Sequence, residues 1–345
     1  MGRVWAGSPG CATYGAKQIG GTMLQRRTLM AAGLAIATPA RAAAIPLRIG
    51  LLHTLSPAPL YIAMERGYFA AEGLDAQFRF FEAAQPIAAA AVSGDIDVGI
   101  TALTGGFFSL AGRGVLKVIG GGLHERPGFE GTAILVSKTS GITSIEGLAG
   151  HSVGITQFGS SFHYIMGRVA ERAGFDIGRI TLRPLQTIGN MLAAVRTGQV
   201  DATMAIASQA KPLAARGEAA IIAWVGDIAP YQLTAVFAPT PVVMNQPDTL
   251  HRFARAYARA VDEYRTAFLL GGDPAPLVPL IQKYVFTGDA DGARKIVADA
   301  GYYDAGARLD AADVAAQLNW FTAQGLVKTQ AAPADLIDDR FLGVS

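Results

Sequence analysis

The chain repeats itself weakly at a spacing of about 104 residues, and the repeat limits what it can fold into. Leu47-Arg48-Ile49-Gly50-Leu51 reads as a short strand and His151-Ser152-Val153-Gly154-Ile155 as another, with Gly50 and Gly154 in register. Each strand leads through a small-residue loop to a helix carrying a Tyr-Ile pair, Tyr61-Ile62 or Tyr164-Ile165. A Gly-apolar-Asp turn then follows, Gly73-Leu74-Asp75 or Gly174-Phe175-Asp176, where glycine accepts the left-handed backbone past a helix end. Strands are expected over Gln77 to Phe81 and Ile180 to Leu185. The second half of each copy matches better. Ile87 to Val98 aligns with Met191 to Ala202, each a helix, a glycine (Gly94, Gly198) and a strand start with Asp97 or Asp201. Alanine-rich helices resemble one another by chance, but two segments sharing one offset favour a structural duplication.

Strand–helix alternation of this kind builds a mostly parallel sheet with helices on both faces. Ligands of such sheets bind outside the carboxyl ends of the strands. Two units facing one another therefore place two sets of strand-end loops across a shared cleft, which is a clamp. Size agrees: 345 residues exceed what one compact core usually holds, and 51% apolar against 16% charged types supply buried sheets and helices. A net charge of +2 without a basic tract leaves no footprint for nucleic-acid binding.

Met23 to Ala44 has the three parts of a secretory signal. Arg26 and Arg27 form the basic region, Leu29 to Ala37 the apolar run, and Ala40-Arg41-Ala42 or Ala42-Ala43-Ala44 the cleavage site. The apolar run is too short to span a bilayer. The arginine pair fits a twin-arginine signal as well as an ordinary one. We read residues 1–22 as an over-extended start and 23–44 as the signal, which removes the single cysteine, Cys11, from the mature chain. The expected location is the periplasm. No later apolar run reads as a membrane span.

The helix opened by Gly159-Ser160-Ser161 shows one apolar stripe, Phe162, Ile165, Met166, Val169, Ala170 and Ala173, with a serine as candidate N-cap. At this point the residues resemble a known family. Leu47 to Phe81, with YIAMERGYFAAEGLDAQF at its heart, looks like the opening of ABC-transporter solute-binding proteins for nitrate, sulfonates and taurine, which thiamine-pyrimidine-synthase-like proteins share. Ser93 to Thr101, Gly159 to Tyr164, and Val242 to Tyr264 are further family-like stretches, and the resemblance covers roughly residues 45–330. It implies an α/β type II periplasmic-binding-protein fold, two doubly wound lobes joined by a hinge of two crossings. One lobe would hold residues 45–132 and 235–345, and the other 133–234, with crossings near Thr132 to Val136 and Tyr231 to Phe237. It also implies the extracytoplasmic binding component of an uptake system for a sulfonate-, taurine- or nitrate-like anion. That component would be a monomer working with membrane permease and ATPase subunits.

The candidate ligand loops follow from the repeat. They are His53 to Ser56 and Thr101 to Thr104 in one copy, and Gln157 to Ser161 with His163, and Ala207 to Gln209, in the other. Helix starts offer unpaired N–H groups suited to an acidic group, and Thr101, Ser160 and Ser161 add hydroxyls. The candidate ligand residues are His53, Ser56, Thr101, Thr104, Phe158, Ser160, Ser161, His163 and Ser208. Each has a plainer reading: helix cap for the serines, strand end for the threonines, structural ring for the histidines and phenylalanine. Asp97 and Asp201 occupy equivalent places in both copies and fit a turn or strand-end role better than ligand binding. The four loops carry no Lys or Arg, so an anion would rely on N–H and hydroxyl groups, helped from outside by Arg126 or Lys211. This leaves room for a neutral, aromatic or nitrogen-containing ligand such as a pyrimidine.

The rivals are an enzyme of the thiamine-pyrimidine branch and a sensory partner that docks on a membrane receptor. The mature chain lacks the cysteine-rich motif of that branch. It shows no H-E-x-x-H, G-x-S-x-G or phosphate-loop motif, and its five histidines lack metal-ligand spacing. The expectation is a binding protein, not an enzyme, with no cofactor or metal.

Overall fold

The computed structural model describes residues 43–343 and the single position 15; the proposed signal over residues 23–44 lies almost wholly outside them. The first strand, β1 (Ile45–Leu52), alternates its faces: Leu47, Ile49 and Leu51 are buried on one side and Gly50 on the other. It pairs in parallel with β2 (Leu74–Phe81) and β3 (Val98–Ala102). The chain continues through β4 (Leu116–Gly121) and β5 (Leu123–Glu125) into β6 (Thr132–Ser137). A second parallel set follows: β7 (Ser152–Ile155) beside β8 (Thr181–Pro184) and β9 (Ala202–Ile206). Then come β10 (Ala219–Trp224), β11 (Tyr231–Gln232), β12 (Thr234–Pro239) and β13 (Tyr302–Tyr303).

Two five-stranded sheets result, ordered β2-β1-β3-β12-β4 and β8-β7-β9-β6-β10. They are equivalent position by position. In each, three parallel strands are followed by one antiparallel strand, β12 or β6, with a fifth strand antiparallel to it. The expected duplication is present in the topology. β6 belongs to the second sheet from Thr132 onward and β12 to the first from Thr234 onward. The two crossings lie side by side, because Tyr231 and Gln232 of β11 pair with Glu125 and His124 of β5.

Side chains repeat the equivalence. An Asp97 carboxylate oxygen accepts the Arg48 backbone N–H at 2.7 Å, and Asp201 accepts that of Ser152 at 2.8 Å. In return the Asp97 and Asp201 amides donate to the Arg48 and Ser152 carbonyls. Each aspartate thus ties the start of one parallel strand to the next, the strand-end role expected of it. Gly94 and Gly198 cap the preceding helices at φ +83° and +73°, a conformation that costs a side-chain-bearing residue about 1–2 kcal/mol. A Cβ on Gly50 would come within 2.4 Å of Ile96, and one on Gly154 within 3.5 Å of Val200, which holds the equivalent place.

The striped helix is Ser161–Arg172, with Ile165, Met166, Val169 and Ala170 buried. Helix Pro247–Phe268 begins with proline in its first turn and turns Leu250, Phe253, Tyr257, Val261 and Tyr264 onto helices Ala58–Glu65 and Tyr68–Ala71. A single apolar cluster joins the halves. It runs from Phe107 and Phe108, through Leu318, Trp320 and Phe321 of helix Ala311–Ala323, to Tyr164 and Val169. Among the described residues, no helix is long and apolar enough to cross a membrane.

Candidate functional site

A cleft opens between the two sheets at the carboxyl ends of their parallel strands, with about 790 Å³ of empty space when its open mouth is counted, the place where open α/β sheets bind ligands. Its walls mirror each other. Leu52 and Thr156, Ser56 and Ser160, Ala84 and Ile188, and Ala102 and Ile206 all line it, and each pair is separated by 104 residues. The repeat therefore sets the two walls of the site as well as the fold. The halves touch where the Gly105 N–H donates to the Gly159 carbonyl at 2.8 Å.

Helix starts surround the cleft. Ala83, Ala84 and Gln85 open helix Ala84–Ser93, and Ser160, Ser161 and Phe162 open helix Ser161–Arg172. Thr104 precedes helix Gly105–Ala111, Ile188 begins helix Ile188–Thr197, and Ile206 precedes helix Ala207–Ala215. The Ser160 and Thr104 hydroxyls accept N–H groups of their own first turns, from His163 at 3.3 Å and Phe107 at 3.1 Å. Those two side chains are caps first. In contrast, the Thr54 hydroxyl and the Gln85 carbonyl oxygen are buried in the cleft wall without a hydrogen-bond partner in the chain. A buried polar atom left unpaired costs about 1–3 kcal/mol, a cost that a bound solute with hydrogen-bonding groups would offset.

Of the sequence-predicted residues, Ser56, Thr104, Ser160 and Ser161 line this cleft together. Ser208 lines a small second chamber that shares Ser56, Ile206 and Leu233 with the cleft. The other four lie outside the lining. Thr101 is buried in β3 with its hydroxyl unpartnered. Phe158 is 55% exposed and packs edge-on against the His163 ring. The His163 ring points into the protein, where its Nδ1 accepts the Gly159 N–H at 3.1 Å and its edge meets Trp320. Burial holds that ring's pKa below the ordinary histidine value, which favours the neutral form with its proton on Nε2. His53 is exposed; its ring leans on Phe80, and its Nε2 meets the Tyr284 carbonyl.

Sequence reasoning passed over Thr54, Gln85, Thr132, Thr156, Gln157 and Thr234, all in the lining. Thr54 and Gln157 lie in named loops, and Gln85 sits one residue past a position that the repeat pairs with Ile188. Thr132 and Thr234 begin the two antiparallel strands, in segments that the sequence marked as hinge crossings and not as ligand loops.

Among the described residues that line the cleft there is no Lys, Arg or His, and the one carboxylate, Glu82, is exposed at the rim. The two outside cations are engaged elsewhere. Lys211 pairs with Asp299 at 2.6 Å and Glu130 at 2.8 Å. Arg126 pairs with Asp304 at 3.3 Å and lies over the Tyr302 ring. Grip in this cleft comes from hydroxyls, amides, backbone N–H groups and apolar contact.

Two equivalent sheets, paired crossings and a cleft at the strand ends define the periplasmic-binding-protein fold, type II as expected. Solved structures agree. The periplasmic aliphatic sulphonate binding protein SsuA from Escherichia coli superposes with a TM-score of 0.67 at 20% identity, over 85% of this chain and 92% of that one. A Candida albicans protein described as having the generic periplasmic binding protein fold gives 0.66 at 15% identity, over 87% and 97%. The periplasmic nitrate-binding protein NrtA from Synechocystis PCC 6803 gives 0.56 at 13% identity, over 69% and 65%. No curated protein matches the chain in sequence. The profile of the NMT1/THI5 like family matches residues 55–266. The chain belongs to that family.

Proposed function

We propose that the chain is the extracytoplasmic solute-binding component of an ABC-type uptake system, acting as a monomer in the periplasm and delivering its solute to a membrane permease coupled to an ATPase. The observation that carries the reading is the interlobe cleft, walled by matching positions of both halves and holding unpartnered polar atoms at Thr54 and Gln85. A solute entering the open clamp meets one wall, the crossings bend, and the second wall buries it. The closed shape is the signal a permease reads.

The solute class that the cleft supports best is a small organic compound with an apolar body, gripped by neutral hydrogen-bonding groups. Leu52, Phe162, Ile165 and Leu233 supply the apolar surface. The absence of a cation from the described lining separates this class from a free inorganic anion. A second reading, a sulfonate- or nitrate-like anion, draws on the relatives whose names carry those ligands and on the helix starts around the cleft. The start of helix Ser161–Arg172 would hold the acidic group with its N–H groups and the Ser161 hydroxyl.

The test is thermal denaturation of the chain from Ala43 onward against graded sulfonates, nitrate, carboxylates, pyrimidines and aromatic alcohols. A solute that binds only the folded state raises the melting temperature with concentration. A saturable rise with one class is the expected result. A flat response to every class counts against the binding reading and favours the sensory or enzymatic alternatives.

A further inference from the structure

The second chamber has a polar character of its own. Its wall includes Glu125, only 2% exposed, on β5 at the paired crossings. The carboxylate accepts the Thr132 hydroxyl at 2.5 Å and, more weakly, the Thr132 N–H at 3.3 Å. It is pressed against the backbone, since a Cβ on Gly131 would fall 2.3 Å from its Oε2. Among the described residues no lysine or arginine pairs with it. The neighbouring His124 ring is committed to Asp304 at 3.0 Å. Asp299, the other carboxylate of the chamber, already has Lys211.

A buried carboxylate without a counter-charge is expensive, and the cost falls when a cation arrives. Burial accordingly pushes the Glu125 carboxyl above the ordinary range. Thr132 lines the main cleft while its hydroxyl is bonded to Glu125, so a solute held in the cleft lies next to this unpaired charge. We propose that the chamber receives a protonated amine carried by the solute, with Glu125 as its counter-ion. The assignment rests on the solute-binding reading of the cleft and sharpens it to amine-bearing compounds.

The test compares matched pairs by calorimetric titration: benzylamine against benzyl alcohol, and 2-aminoethanesulfonate against ethanesulfonate. The amine member should bind the wild-type chain about ten- to a hundredfold more tightly than its partner, the range of a hydrogen bond to a charged group. Glu125→Gln keeps the side-chain shape and an oxygen for the Thr132 hydroxyl, gives up the weaker bond from the Thr132 N–H, and should erase that difference. Equal binding of both members, or a preference that survives Glu125→Gln, overturns the chamber assignment while leaving the clamp intact. Failure of every probe to bind overturns the chamber and the solute-binding reading together.

Discussion

In the first half, Asp97 holds β1 through the Arg48 backbone and adds a two-point grip on the Arg48 guanidinium, at 3.0 and 2.7 Å. In the second half, Asp201 holds β7 through the Ser152 backbone and the Ser152 hydroxyl at 2.8 Å. The backbone task is the same and the side chains differ, which separates what the fold needs from what each half is free to vary. Cleft positions divide likewise. Ser56 and Ser160 match, but Gln85 faces the cleft where the other copy has Gly189, and Thr54 does so where it has Phe158. Ligand chemistry is expected to concentrate at the positions where the copies part. The halves also differ in cover: the first is packed by the long helix Pro247–Phe268, while the second leans on Trp320, whose ring sits where a Cβ on Gly167 would fall.

The largest effect should come from breaking that asymmetric cover. Trp320→Ala empties a buried site between the halves and should cost about 3–5 kcal/mol in urea unfolding; a loss no greater than at the surface would mean that the helix is not a structural bridge. Next, Asp97→Ala and Asp201→Ala should each cost about 1.5–3 kcal/mol, the range for hydrogen bonds to a charged group. The Arg48 pair adds little, because its guanidinium side is 37% exposed and screened. Unequal losses with one near zero would break the equivalence of the two clamps. Smaller still, Ser160→Ala and Thr104→Ala remove helix caps and should cost about 1 kcal/mol each, whereas Ser161→Ala should weaken solute binding with little change in stability.

The smallest effect is a pH slope from His163. Its folded pKa lies below its unfolded value of about 6.5. As pH falls through that unfolded value, the unfolded chain takes up a proton that the native ring refuses, so stability declines on the acid side. His163→Asn should flatten the slope between denaturation midpoints measured at pH 7.5 and at pH 5.5. An unchanged slope would place the titrating group elsewhere.

Much of the fold was legible because its signals are local. Gly94 and Gly198 end helices, Asp97 and Asp201 start strands, and the apolar stripe of Ser161–Arg172 repeats every turn; each can be read within a dozen residues. The strand-end loops located the cleft for the same reason. What stayed hidden depends on distance along the chain. Trp320 reaches Gly167, and Thr132 and Thr234 enter the cleft on strands inserted beside β9 and β3. His163 follows a small-residue loop, the place expected of a ligand residue, but its ring turns back to satisfy the Gly159 amide four residues earlier, a local bond that residue types alone do not specify.

The most direct test of the account is calorimetric titration of the strongest solute from the thermal screen into the wild-type chain and a Thr54→Val, Gln85→Ala double variant. The account predicts a loss of affinity of about tenfold or more in the variant, with the solute-free melting temperature preserved, because neither polar atom has a partner in the chain to lose. Unchanged affinity would contradict it and place the solute outside this cleft.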